Sequence, residues 1–171
     1  AELYDFAISH GYSLAWFEHE RYLVTSMSPA AEFFAAVSGV KIEVNARPHE
    51  SGVKATGIDI VSNEKTSSDV HRLLEARYGS RVALLDFNTV TAIHEPRASK
   101  GNALALIAED LGVDRSQVLA IGDGINDVSM LSWAGQSGTP AHGDSYAKDS
   151  AKEVLKGEGV SGVVARLMSV L

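Results

Sequence analysis

The sequence predicts an α/β protein in two parts, a mixed α+β layer over residues 1–96 and a helix–strand–helix succession over residues 97–171. Three observations carry this reading. Apolar residues fall at helical and strand spacings by turns along the whole chain, with no low-complexity tract and no internal repeat. Before residue 96 the elements run α, β-β, α, β, α, β-β, an order that favours helices and strands in one mixed layer. After Pro96, single short apolar strands stand between helices, as in a buried parallel sheet.

Leu3, Phe6 and Ala7 mark a first helix that ends near Gly11, a residue suited to a helix C-terminus. Leu14–Glu18 and Arg21–Thr25 follow as strands able to pair across His19–Glu20. Trp16 and Phe17 point to opposite faces of the first strand, so alternation makes one of them core. Ser28-Pro29 opens a helix, with serine as cap and proline at the first helical position, and Phe33, Phe34 and Val37 share a face. Gly57–Val61 reads as a strand. Asn63–Ser68 is rich in capping residues and leads into a helix carrying Val70, Leu73, Leu74 and Tyr78. Arg81–Asp86 and Thr89–His94 are two further strands. In the second part, Leu104, Ile107, Ala108 and Leu111 lie at i, i+3, i+4, i+7 and Gly112 closes their helix. Val118–Ile121 is a short apolar strand, Gly122-Asp123-Gly124 a turn, and Val128, Met130, Leu131 and Ala134 mark the helix beyond. A strand near Ser137–Ala141 follows. Val160, Val163, Val164, Leu167, Met168 and Leu171 form a closing helical stripe.

Composition narrows the function classes. The 171 residues carry a net charge of −7, and 45% are hydrophobic against 22% charged, the balance of a globular chain. An acidic chain is a poor partner for nucleic acid or an anionic membrane, whose phosphates demand excess lysine and arginine. With no cysteine there is no disulfide, thiolate zinc site or cysteine nucleophile, and no signal-peptide pattern opens the chain; both fit a cytoplasmic location. The six histidines show no paired ligand spacing of the kind zinc uses.

The stretch Leu119-Ala-Ile-Gly-Asp-Gly-Ile-Asn-Asp-Val-Ser-Met-Leu131 carries most of the chemistry. Asp123 stands at the C-terminal end of a strand, where open α/β sheets bind ligands, and Asp127 lies four residues on, in the first turn of a helix. Two carboxylates among small residues can hold a hard cation such as Mg²⁺, and the helix N-terminus beside them favours a phosphate. Equally, Asp123-Gly124 can be only a turn, with Asp127 balancing the helix dipole. A dinucleotide fingerprint fails because Asp127 occupies the third glycine position, and a calcium loop fails because Ile125 sits where an oxygen ligand is needed.

Gly122-Asp123-Gly124-Ile125-Asn126-Asp127, continuing into Met130-Leu131 and Ala134-Gly135, resembles the fourth motif of the haloacid dehalogenase (HAD) superfamily of phosphatases, in its Cof-like sugar-phosphatase branch. Lys100-Gly101, opening a helix that ends Leu111-Gly112-Val113, resembles the third motif. Ala147-Lys148, Ala151 and Glu158-Gly159-Val160 resemble the branch's tail, and residues 1–96 its inserted α+β cap. The resemblance spans the chain and is most specific from Lys100 to Leu131. It implies a HAD-like Rossmannoid core, of which residues 97–171 are the C-terminal half, and a Mg²⁺-dependent phosphate-monoester hydrolase working through an aspartyl-phosphate on a sugar phosphate or similar phosphorylated small molecule. On that resemblance Asp123 is the Mg²⁺ ligand, and Asp127 supports the metal's water shell and orients the lysine. Lys100 neutralises charge on nucleophile and phosphoryl group, and Asn126 completes the phosphate end. Arg47, His49 and Lys54, in a loop of the cap, are candidate substrate contacts, against the plainer reading of a solvated polar loop.

Two features depart from the family pattern. Ala141-His142-Gly143-Asp144 stands where the branch carries a Gly-Asn-Ala turn. More consequentially, the Asp-x-Asp-Gly-Thr strand that bears the nucleophile has no counterpart. Leu84-Leu85-Asp86-Phe87-Asn88 imitates it, but Asn88 replaces the second aspartate and Asp86 lies only 14 residues before Lys100, so it reads as a cap hairpin with Asn88 in its turn. The expectation is a piece of a longer phosphatase, inactive alone, that needs an N-terminal core segment. Its strand Val118–Ile121 would be left with an unpaired edge, which invites pairing with a second copy as a homodimer. The rival expectations are a non-catalytic binding or oligomerisation module and, less favoured by Asp127, a nucleotide-binding domain.

Overall fold

Alternating apolar residues build the first of two units, Ala1–Pro96, around a six-stranded sheet. The structure, a computed structural model, describes residues 1–19, 21–63, 65–157 and 159–170. The expected turn residue Glu20, Glu158 of the expected helix start, and Leu171 of the closing stripe therefore lie outside the described residues, as does Glu64.

The first unit runs α1 (Glu2–Ser9), β1 (Ser13–Glu18), β2 (Arg21–Val24), α2 (Pro29–Ser38), β3 (Ile42–Val44), β4 (Gly57–Val61), α3 (Ser67–Tyr78), β5 (Ala83–Asp86) and β6 (Val90–His94). The strand order is β3-β2-β1-β4-β6-β5, antiparallel except for the parallel pair β2 and β3, which α2 connects. Because successive side chains on a strand face opposite ways, Leu14 and Ala15 serve different cores. Leu14, Ile60 and Ile93 pack with Phe6 and Ala7 of α1 and Val70, Leu74 and Tyr78 of α3. Ala15, Tyr22 and Val24 pack with Ala31 of α2. Both faces are thus covered in part, and Trp16 and Phe17 each lean on a core, one per face, where alternation alone had assigned core to a single one. The Ser28 hydroxyl accepts the Ala31 N–H at 3.2 Å and caps α2 as its position implies.

The sequence-based element order omits β3. Three residues with Val44 exposed show no alternation to read, and the strand exists because it adds in parallel to β2. The polar loop after it also holds a turn of 3₁₀ helix, Pro48–Glu50.

The second unit, Arg97–Leu171, runs α4 (Lys100–Asp110), β7 (Leu119–Ile121), α5 (Val128–Trp133), β8 (Gln136–Thr139), α6 (Ser145–Ser150), β9 (Glu153–Val154) and α7 (Val160–Met168). Its three strands are parallel in the order β7-β8-β9, so β7 is an edge strand among the described residues. The core is small: Ala120, Leu131, Ala134 and Ala147, with Leu104, Val118, Met130 and Trp133 packed against it. α6 and β9, six and two residues long, are too short for a periodic signal and escape the sequence reading. Of the α4 stripe only Ala108 is buried, while Ile107 and Leu111 are 55% and 69% exposed. The α7 stripe is likewise open at Val160, Val164, Leu167 and Met168. Among the described residues no helix is long and apolar enough to cross a membrane.

Candidate functional site

The site grows from the C-terminal end of β7. Beyond Ile121 the chain turns through Gly122–Gly124, makes one 3₁₀ turn at Ile125–Asp127 and enters α5. That path folds Asp127 back under the loop. Its Oδ2 accepts the backbone N–H groups of Asp123 at 2.9 Å and Gly124 at 3.2 Å. A side chain on Gly122 would put its Cβ 2.4 Å from that of Asp127, so only glycine permits the approach. The other oxygen of Asp127, Oδ1, accepts from Lys100 Nζ at 2.5 Å, across 27 residues of sequence. Lys100 is placed by the start of α4, where Ser99 Oγ accepts the Asn102 N–H and the Gly101 N–H donates to Ser129 Oγ at 3.0 Å. Burial pushes the Asp127 carboxyl upward, but the Lys100 ammonium and the two backbone N–H bonds outweigh it and hold the pKa below the ordinary carboxylate value.

Asp123 is the opposite case. Its side chain is 64% exposed, and His142 Nε2 lies 3.8 Å from its Oδ2. Its backbone carbonyl accepts the Asp144 N–H at 2.9 Å, which ties the loop after β8 to the loop after β7. The two loops border a cleft of about 250 Å³ whose walls include Ile121, Gly122, Asp123, Pro140, His142 and Val160. Asn126 is exposed, with Oδ1 folded back over Gly124.

This donor set can be tested against Mg²⁺. A hard cation takes oxygen ligands and keeps several waters. Both oxygens of Asp127 are occupied by hydrogen bonds, whereas those of Asp123 accept none among the described residues. No group of three or more His, Cys, Asp or Glu capable of holding a metal occurs among the described residues. The site therefore fits an ion held by one carboxylate of this chain, with the other positions left to water and to groups from elsewhere.

The structure brings Lys100, Asp123, Asn126 and Asp127 into one region of the second unit. Arg47, His49 and Lys54 belong to the first, where two of them are engaged locally. Arg47 pairs with Glu50 at 2.9 Å, and the His49 ring lies 4.0 Å from that of Tyr4. Lys54 is exposed. Asp86 ends β5 in the β5–β6 hairpin, accepting the Ser67 hydroxyl at 2.7 Å and the Asn88 N–H at 3.0 Å, with Asn88 itself in the left-handed region at φ 65°. Its carboxylate is committed to the turn. Two residues in the site had no functional reading from sequence: Ser129, two residues past Asp127 in the first turn of α5, and His142, visible only as a departure from the family turn.

The model of the haloacid dehalogenase-like hydrolase family matches residues 1–167. A phosphoglycolate phosphatase of Methanopyrus kandleri is 32% identical over 126 residues, which make up 73% of this chain and 54% of that protein. Among solved structures, a HAD/COF-like hydrolase from Plasmodium vivax superposes with a TM-score of 0.85 at 21% identity, over 99% of this chain and 61% of that one. A HAD subclass IIB sugar phosphatase superposes with a TM-score of 0.79 at 14% identity, over 99% of this chain and 65% of that one. The chain thus spans about half the length of the curated relative and under two thirds of these structural neighbours. A family match over nearly the whole chain, joined to a matching fold, shows that the chain belongs to the haloacid dehalogenase-like hydrolases.

Proposed function

We propose that these residues form the cap and the C-terminal half of the core of a Mg²⁺-dependent phosphate-monoester hydrolase, whose aspartate nucleophile is supplied by a core segment outside the 171 residues. The observation that carries this reading is the division of labour between the two carboxylates, Asp127 locked onto Lys100 and Asp123 left open to solvent.

Lysine has three N–H donors. Asp127 takes one and fixes the ammonium, so the other two remain for the nucleophile and the phosphoryl oxygens. Phosphoryl transfer depends more on such positioning and charge neutralisation than on covalent machinery. In the first step the external carboxylate attacks phosphorus, the ester P–O bond breaks, and the leaving alkoxide takes a proton from solvent water. In the second, water attacks phosphorus and gives up a proton to solvent, the acyl-phosphate P–O bond breaks, and phosphate leaves with the carboxylate restored. Lys100 faces negative charge in both steps. Bound at Asp123, Mg²⁺ supplies further positive charge to the phosphoryl group. Asn126 donates at the phosphate end. Residues 1–96 act as the cap that selects the leaving group, with Arg47, His49 and Lys54 as its candidate contacts. The name of the Methanopyrus kandleri relative makes 2-phosphoglycolate the first substrate to try, and the subclass IIB neighbour makes sugar phosphates the second.

The test is phosphate release from p-nitrophenyl phosphate and 2-phosphoglycolate with Mg²⁺, by this chain and by the chain extended with its upstream in-frame sequence. Turnover is expected only in the extended form, with a loss of at least 100-fold in Asp123→Ala. Equal turnover by the 171 residues alone overturns the proposal. If the extended form neither turns over nor responds at Asp123, the chain is a binding module.

A further inference from the structure

We propose that Ser129 is a positioning residue for Lys100: its hydroxyl holds the start of α4 against α5 and so sets where the Lys100 ammonium stands, which governs the rate of phosphoryl transfer and not the binding of substrate. The inference rests on the role of Lys100 in the proposed function and deepens it.

Lysine is a charged tip on a flexible four-carbon stem, so its ammonium acts at a defined place only where the stem is fixed. The Lys100 side chain is 49% exposed, and packing alone does not fix it. Its tip is held by Asp127 Oδ1 at 2.5 Å. Its root is the first residue of α4, and the first N–H groups of a helix have no partner within that helix. The Asn102 N–H is met by the cap, Ser99 Oγ. The N–H of the buried Gly101 is met from a different helix, by Ser129 Oγ at 3.0 Å and across 28 residues. A Cβ on Gly101 would lie 2.5 Å from the Ser129 carbonyl oxygen, so α4 and α5 meet backbone to backbone at this point.

These contacts close a ring. Ser129 lies two residues beyond Asp127, and Gly101 directly follows Lys100, so one hydrogen bond and one ion pair join the same two stretches of chain. Root and tip of the lysine are thereby both referred to residues 127–129, and its remaining two N–H donors keep one direction. Asp127 is held independently, because its Oδ2 accepts the N–H groups of Asp123 and Gly124. Loss of the Ser129 hydroxyl therefore displaces the lysine and leaves the carboxylate in place. A misplacement of about 1 Å can cost about 100-fold in rate.

The experiment compares Ser129→Ala, which removes the acceptor, with Ser129→Thr, which keeps it. In the 171-residue chain, ¹³C relaxation of Lys100 Cε, assigned by its absence in Lys100→Gln, reads the mobility of the tip. In the extended protein, initial rates with p-nitrophenyl phosphate separate kcat from KM, below the melting transition of each variant. Ser129→Ala is expected to make Lys100 Cε more mobile and to lower kcat about 10–100-fold with KM within twofold. Ser129→Thr is expected to match the parent in both. Lys100 Cε as rigid as in the parent, or an unchanged kcat, in Ser129→Ala overturns the inference. So does Ser129→Thr behaving as Ser129→Ala, which assigns the loss to packing. In each of these cases lost activity in Lys100→Gln leaves the proposed function standing, whereas full activity in Lys100→Gln overturns both.

Discussion

The two units differ in how far each finishes its own core. In the first, six strands are packed on one face by α1 and α3 and in part on the other by α2, and Leu14, Leu23, Ile60, Val70 and Leu74 are fully buried. In the second, three strands support a core built largely of alanine, while leucine, valine and methionine on α4 and α7 face outward and β7 ends the sheet. Yet the site belongs to the second unit. A polar constellation can thus be assembled locally, by one loop and two helix starts, on a scaffold whose apolar faces are left open.

A matched pair of truncations should show the contrast most strongly. Leu74→Ala removes a fully buried side chain and is expected to cost the first unit about 2–5 kcal/mol. Leu111→Ala, at the exposed C-cap of α4, is expected to stay within about 0.5 kcal/mol. Denaturant unfolding measures both. Equal losses would mean that the outer face of α4 is covered in the free chain, and the comparison would fail.

Carboxylates sharpen the same contrast. Asp59 sits on β4 across from Ala15 and Ala92, with no hydrogen bond or ion pair among the described residues, and burial pushes its pKa up to about 7. Asp127 has three partners and a lowered pKa. The signs follow from proton linkage. The folded state binds the Asp59 proton more tightly than the unfolded chain, so stability falls as pH rises from about 4 to about 7. For Asp127 the contribution is present above the ordinary carboxyl pKa and is lost as pH falls through the lowered folded value. Asp59→Asn should therefore stabilise the protein at pH 8, by about 1.4 kcal/mol for each pKa unit of displacement, and have little effect near pH 4. Asp127→Asn should destabilise at pH 7 by about 1–3 kcal/mol and converge on the parent in acid. Thermal melts from pH 2 to pH 8 read both slopes, the Asp127 slope below about pH 4 and the Asp59 slope above it, and parallel curves for Asp59→Asn and the parent would show that Asp59 does not couple folding to pH.

Much of this architecture is legible in the sequence, and the gaps have physical causes. The Ser28-Pro29 helix start, the Asn88 turn and the strand before Gly122 are local signals, set by capping, left-handed backbone and apolar runs. β3 and β9 are three and two residues long and exist through pairing with strands already in place, which no local pattern reveals. At the site, Asp123 and Asp127 stand out by their place after a strand. The Lys100–Asp127 contact crosses 27 residues, so no local spacing points to it; the family resemblance supplies that partner. The approach of His142 to Asp123 depends on how two loops are tied, and a changed residue in a family turn is its only trace in the sequence.

In the proposed reaction, residues 97–171 serve a nucleophile supplied from outside the 171 residues. Acid-quenching the extended protein during turnover and locating the phosphorylated residue by mass spectrometry tests it most directly. The expected result is an acyl-phosphate on an aspartate upstream of Ala1 and none within the 171 residues. Phosphate on Asp86, Asp123 or any other residue of this chain would contradict it.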